Sequence, residues 1–119
     1  MIKGVHTMFY SSDAAGLREF LRDKLGLAAT DIGDGWLIFD VPEADMGVHP
    51  SDDSGQHGAP SGTHDISFYC EDIEGTVAEL KAKGVEFVGE IQDQGWGKVI
   101  RFHVPGGFTV QMYEPLYGK

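Results

Sequence analysis

The sequence repeats itself, and this repeat limits the folds open to a chain of 119 residues more than any other feature. In each half, residues typical of a strand end at an aspartate that can cap a helix, Asp13 in the first half and Asp72 in the second. A helical pattern follows each aspartate and ends at a glycine, Gly26 or Gly84. The same order of elements is therefore predicted twice.

The repeat extends to the strands that follow each helix. Residues 37–42 (LIFDVP) resemble residues 100–105 (IRFHVP), and a tryptophan precedes each stretch closely, Trp36 in the first half and Trp96 in the second. Such self-similarity in a short chain indicates duplicated units whose sheets bury each other's faces. We predict a single α+β domain of two tandem βαβββ modules that form a cup-shaped mixed sheet.

The boundaries of the modules follow from the polar stretch between them. Residues 51–62 are rich in Ser, Asp and Gly without periodicity and are predicted to connect module one, residues 1–50, to module two, residues 63–119. Strands are predicted at the start of each module and three times after each helix. In module one they cover residues 4–10, 27–32, 36–41 and 46–49, and module two opens with residues 64–70.

Charge and composition exclude several partners. The formal net charge is -10, which repels nucleic acid and anionic membrane surfaces, so neither is expected as a partner. Cys70 is the single cysteine and rules out an intrachain disulfide. Residues 1–4 lack the apolar stretch of a signal peptide, and we therefore expect a cytoplasmic protein.

Three histidines and one glutamate fall at equivalent points of the two modules. His6 and His64 open the first strands, whereas His49 and Glu114 close the last strands. Equivalent strand ends in paired modules can converge, and imidazole with carboxylate suits divalent Fe, Mn, Ni, Co or Zn. The pattern therefore predicts a divalent metal site.

Three stretches carry a resemblance to a known superfamily: residues 5–13 (VHTMFYSSD), the helix exit at residues 20–27 and the ending 104–115 (VPGGFTVQMYEP). Together they resemble the vicinal oxygen chelate superfamily, which contains glyoxalase I, extradiol dioxygenases and the fosfomycin and bleomycin resistance proteins. The resemblance implies a metal-dependent dioxygenase, lyase, isomerase or transferase that chelates neighbouring oxygens of a small substrate. It implies His6, His64 and Glu114 as ligands, with His49 at the fourth position.

One ligand position stays open between two residues. His6 lies seven residues before Asp13, and the same spacing before Asp72 falls on Asp65 rather than His64. Strand alternation agrees with Asp65, because Ile66, Phe68 and Cys70 would face the helix. Imidazole is the commonest metal ligand, which favours His64.

Further roles and a competing function complete the hypothesis. The candidate catalytic residues are Glu114, Tyr10 and Tyr69, the two tyrosines as the nearest groups able to move a proton. Arg101 could bind an anionic substrate group or pair with a surface carboxylate. The alternative function is a metal-free binding protein that sequesters a drug. Related small members imply a homodimer with shared sites, His6 from one subunit and His64 with Glu114 from the other.

Overall fold

The computed structural model describes residues 6–44, 46–48, 50–54, 56 and 58–117. It confirms the predicted α+β class with a mixed sheet. Within these ranges no helix has both the length and the apolar character needed to cross a membrane. The elements are α1 (Ala14–Glu19), continued by a π-helical turn (Phe20–Lys24), β1 (Ala29–Asp31), β2 (Leu37–Phe39), β3 (Ser67–Tyr69), α2 (Ile73–Ala82), β4 (Phe87–Asp93), β5 (Gly97–Val104) and β6 (Phe108–Pro115).

Both helices begin with the same capping device, as the repeat predicts. The Asp13 carboxylate accepts a hydrogen bond from the Gly16 N–H at 3.0 Å, and the Asp72 carboxylate accepts one from the Gly75 N–H at 3.2 Å. Each bond satisfies one backbone donor of the first helical turn that has no partner within the helix. The repeat in the sequence therefore corresponds to two helices that begin in the same way.

Module two forms the complete βαβββ unit. Its sheet has the order β3-β6-β5-β4, in which β3 runs parallel to β6 and β5 runs antiparallel to both β6 and β4. Ser67 lies opposite Gln111, and Arg101 lies opposite the same Gln111 from the other side. The amino-terminal ends of β3 and β6 consequently lie at the same edge of the sheet.

One face of this sheet packs against the helices. Phe102 is fully buried, with its ring 6.3 Å from that of Phe20 and 5.8 Å from that of Phe87. Phe68 and Cys70 pack against the same core, so the predicted alternation along the opening strand is confirmed for these two residues. We call the opposite side the cup face; alternation places there Ser67, Tyr69, Val99, Arg101, Thr109, Gln111 and Tyr113.

Module one departs from the predicted pattern. Its strands are the hairpin β1-β2, shorter than expected, closed by a turn in which Asp34 takes a φ of 54° between two glycines. The strand predicted at residues 4–10 is absent from its described part, residues 6–10, and residues 46–48 are also outside any strand. His49 lies outside the described residues. The physical reason is that a strand needs a partner for its backbone N–H and C=O groups, and β1 and β2 pair with each other.

The chain exposes more surface than a compact monomer of its size. Its accessible area is 8521 Å², which exceeds by roughly 2,200 Å² the roughly 6,300 Å² expected for 13.0 kDa. The radius of gyration is 15.2 Å, against about 13.5 Å for a compact chain of this length. Arg101 on the cup face is among the exposed residues, so the single chain leaves part of the cup open to solvent.

Candidate functional site

An uncharged pair of side chains joins β3 to β6 in the middle of the cup face. The Gln111 side-chain amide donates a hydrogen bond to the Ser67 hydroxyl at 3.2 Å, across the pairing of β6 with β3. Neither an amide nor a hydroxyl is a usual ligand of Fe, Mn, Ni, Co or Zn. The position at the middle of the closing strand is therefore suited to hydrogen bonding rather than to metal coordination.

An aromatic cluster, made of Tyr69, Trp96, Tyr113 and Tyr117, lies at one end of the cup face. The Tyr113 ring is 6.0 Å from the Tyr69 ring and 5.8 Å from the Trp96 ring, and its hydroxyl is 3.0 Å from that of Tyr117. Tyr113 is 9% exposed, whereas Trp96 is 51% exposed. The cluster thus combines a buried ring with an exposed one, and such flat apolar surfaces accept planar groups.

A carboxylate from module one borders this cluster. The Tyr69 hydroxyl donates a hydrogen bond to the Glu43 carboxylate, which follows β2 in the chain. Tyr69 was predicted as a catalytic residue, and the structure places it in the aromatic cluster with this acidic partner. The end of the cup near Tyr69 therefore carries negative charge and a hydrogen-bond acceptor.

A cleft of about 280 Å³ opens at the other end of the cup face. It brings together Tyr10, His64, Asp65, Arg101 and Thr109. Both residues that competed for one ligand position line this cleft, so the choice between His64 and Asp65 stays open. Tyr10 is 89% exposed and lies at the rim.

Glu114 lies on the opposite side of the sheet from the cup. Side chains alternate between the two faces along a strand, so Glu114 shares its face of β6 with Val110 and Met112, which are core residues. Its carboxylate accepts a hydrogen bond from the Ile73 N–H, the first residue of α2, at 3.0 Å. Its observed role is therefore to satisfy a backbone donor at the start of that helix.

Two further carboxylates, those of Asp72 and Glu74, lie close to that of Glu114, and each already has a hydrogen-bond or ion-pair partner. Asp72 caps α2, and Glu74 forms an ion pair with Lys98 at 3.0 Å. The hydrogen bond from Lys98 lowers the pKa of the Glu74 carboxyl, and Glu74 in turn raises the pKa of Lys98. Asp72, Glu74 and Glu114 form the one group of three potential metal ligands in the described chain, and it contains no histidine.

The direction of the strands separates two of the predicted ligands. Ser67 lies opposite Gln111, so position 64 falls beside position 108 when that register is continued. From there to Glu114 is six residues, about 20 Å along a strand. Metal–ligand bonds of about 2 Å cannot bridge that distance. The predicted set of His6, His64 and Glu114 thus does not converge within one chain, and His49 cannot be placed.

Gln111 was missed at the level of sequence, although a signal for it exists. Residues 108–113 alternate between apolar side chains and more polar ones, and the apolar Val110 and Met112 mark the core face. That alternation assigns Gln111 and Tyr113 to the cup and removes Glu114 from it. A residue's place at the end of a strand does not show which face of the sheet its side chain occupies, whereas the alternation does.

Comparison with known proteins identifies the family. A family model described as the glyoxalase/bleomycin resistance protein/dioxygenase superfamily matches residues 3–112. The chain belongs to this superfamily. Its members bind small molecules, and divalent metals are common among them.

Three relatives illustrate the range of the superfamily. The chain is 32% identical over 120 residues to the uncharacterized protein YetH of Bacillus subtilis (strain 168), covering 96% of this chain and 100% of that one. Its fold is similar to that of TnmS3, an antibiotic binding protein from Streptomyces sp. CB03234, with a TM-score of 0.63 at 19% identity over 97% and 99% of the two chains. It is also similar to lactoylglutathione lyase from Agrobacterium tumefaciens, with a TM-score of 0.62 at 17% identity over 91% and 90%.

The contact between Glu114 and α2 gives a first prediction. Glu114→Ala leaves the Ile73 N–H without its acceptor and should lower the free energy of unfolding by about 1 kcal/mol. Glu114→Gln retains an acceptor oxygen and should lose less. Urea denaturation at fixed protein concentration measures both, with Glu90→Ala, an exposed glutamate of β4, as the control within about 0.5 kcal/mol of wild type. Unchanged stability in Glu114→Ala would contradict this role.

Proposed function

We propose that this protein binds a planar aromatic small molecule in its cup and does so without a metal ion. The observation that carries the proposal is the aromatic cluster beside the uncharged Ser67–Gln111 pair on the cup face. An aromatic ligand gains from burial of its surface and about 0.5–1.5 kcal/mol more for each favourable ring pair. The antibiotic binding named for TnmS3 supports this assignment, since that protein has the same fold.

A metal-dependent enzyme of the glyoxalase or extradiol dioxygenase type is the second candidate. The observation in its favour is that His64 and Asp65 line one cleft with Tyr10. Either His64 or Asp65 would hold the ion together with His6 and His49 from a neighbouring chain, while Glu114 does not fit because it faces α2. A bound Fe, Mn, Ni, Co or Zn ion would act as a Lewis acid on neighbouring substrate oxygens.

We further propose that a second copy of the chain covers the open cup and shares the site. The excess surface of roughly 2,200 Å² is more than the roughly 800 Å² that each partner buries in a standard interface. Met46 and Val48 are 74% and 96% exposed, so in a single chain their apolar surface is not buried and does not contribute to stability. A partner would also supply the missing neighbour for residues 6–10 and 46–48.

The binding proposal is tested with a neutral aromatic probe, biphenyl-4-carboxamide. Trp96→Ala should weaken its binding about tenfold, because a stacked ring contributes about 1–3 kcal/mol. The matched control is Trp36→Ala, which removes a tryptophan of similar exposure (48% against 51%) outside the aromatic cluster, where Arg18 lies 4.7 Å from the ring centre. Titration calorimetry in chelator measures both. Equal losses in the two variants, or no binding to wild type, would contradict the proposal.

Metal content decides between the two candidate functions. Protein incubated with Fe, Mn, Ni, Co and Zn in turn and then desalted should hold far less than one ion per chain by elemental analysis. His64→Ala and Asp65→Ala should leave that low content unchanged. An equimolar ion lost in one of these variants would instead establish the metal-dependent candidate and identify the ligand.

The dimer is tested by light scattering after gel filtration. Wild type should give twice the chain mass of 13.0 kDa. Val48→Asp places a charge on a residue that the partner would bury, and should shift the protein toward the monomer. Ala15→Asp adds the same charge at an exposed position of α1 and should remain dimeric. A monomeric wild type would refute the shared site.

A further inference from the structure

We propose that Arg101 recognises an anionic group of the ligand, so that the cup selects an elongated aromatic carboxylic acid. This inference rests on the proposed binding function and specifies its ligand class. The cleft end of the cup face supplies the positive charge, and the aromatic cluster supplies the flat surface for the ring system.

The Arg101 side chain is held in place by its neighbour on β6. Its Nε donates to the Thr109 hydroxyl at 2.8 Å, and its Nη2 donates to the Thr109 carbonyl at 2.9 Å. These two bonds fix one edge of the planar guanidinium and leave both hydrogens of Nη1 and the second hydrogen of Nη2. One hydrogen of Nη1 and the remaining hydrogen of Nη2 point in the same direction, and together they match the two oxygens of a carboxylate.

Among the residues that the structure describes, no carboxylate pairs with Arg101. Arg22 pairs with Asp23 and Lys98 pairs with Glu74, but no described acidic group lies within the 4.0 Å ion-pair distance of Arg101. Asp65 lines the same cleft but forms no ion pair with Arg101. In a chain with 19 acidic and 9 basic residues, an arginine that is held on a binding face and has no acidic partner within the described ranges indicates a site for an external anion.

The spacing of the two ends sets the shape of the ligand. The guanidinium is anchored at Thr109, and the aromatic cluster is centred on Tyr113, four residues along β6, which corresponds to about 13 Å. Gln111 and Ser67 lie between them and offer neutral hydrogen-bonding groups. A molecule that reaches both ends therefore has more than one ring, with its carboxylate at one extremity.

The test compares biphenyl-4-carboxylate with biphenyl-4-carboxamide, which differ in charge and hardly in shape. Wild type should bind the acid about tenfold more tightly than the amide, since a hydrogen bond between two charged groups is stronger than one to a neutral group. Arg101→Gln should abolish that preference, weakening the acid about tenfold and the amide far less, because the amide oxygen accepts only a neutral hydrogen bond there. Thr109→Val should reduce the preference while keeping the charge, and Arg22→Gln, which removes an equal charge on the helical side, should have no effect.

Calorimetry gives the affinities, and the Nε–Hε resonance of Arg101 should shift with the acid and not with the amide. A preference that survives Arg101→Gln, or an Arg101→Gln variant that loses acid and amide equally, overturns the inference. Wild type that binds the amide as tightly as the acid also overturns it and leaves the proposed function standing. Failure of both probes to bind overturns the two together.

Discussion

The parallel pairing of β3 with β6 is the constraint on which the rest of this structure depends. Because both strands run in the same direction, the chain must cross over between them, and α2 begins directly after β3. The pairing puts the amino-terminal ends of the two strands at the cleft and their carboxyl-terminal ends at the aromatic cluster. It thereby gives the cup two chemically different ends.

Much of this arrangement could be predicted from the sequence, because it depends on local rules. The caps at Asp13 and Asp72 and the alternation from Ser67 to Cys70 require only neighbouring residues, and the structure confirms them. Glu114 was predicted as a ligand from its place at the end of a strand, whereas the parity and direction of the strands decide which side chains meet. Parity can be read from the alternation around Val110 and Met112, whereas direction is not visible until the partner strand is known.

The prediction of the outer strands of module one was wrong for a different reason. A sequence can specify that residues 6–10 and 46–48 favour an extended backbone, but it cannot supply the hydrogen-bonding neighbour that makes them a strand. Module two finds its neighbours within the chain. The contrast between two modules of similar sequence shows that strand formation here depends on a neighbouring strand and not on the segment alone.

The sheet also separates two kinds of evolutionary constraint within a single strand. Val110 and Met112 lie in the core, so their replacement costs folding stability, whereas Thr109, Gln111 and Tyr113 alternate with them on the other face. A change of ligand can therefore accumulate at every second position without disturbing the residues between. One small scaffold can in this way pass from one chemistry to another while its fold stays the same.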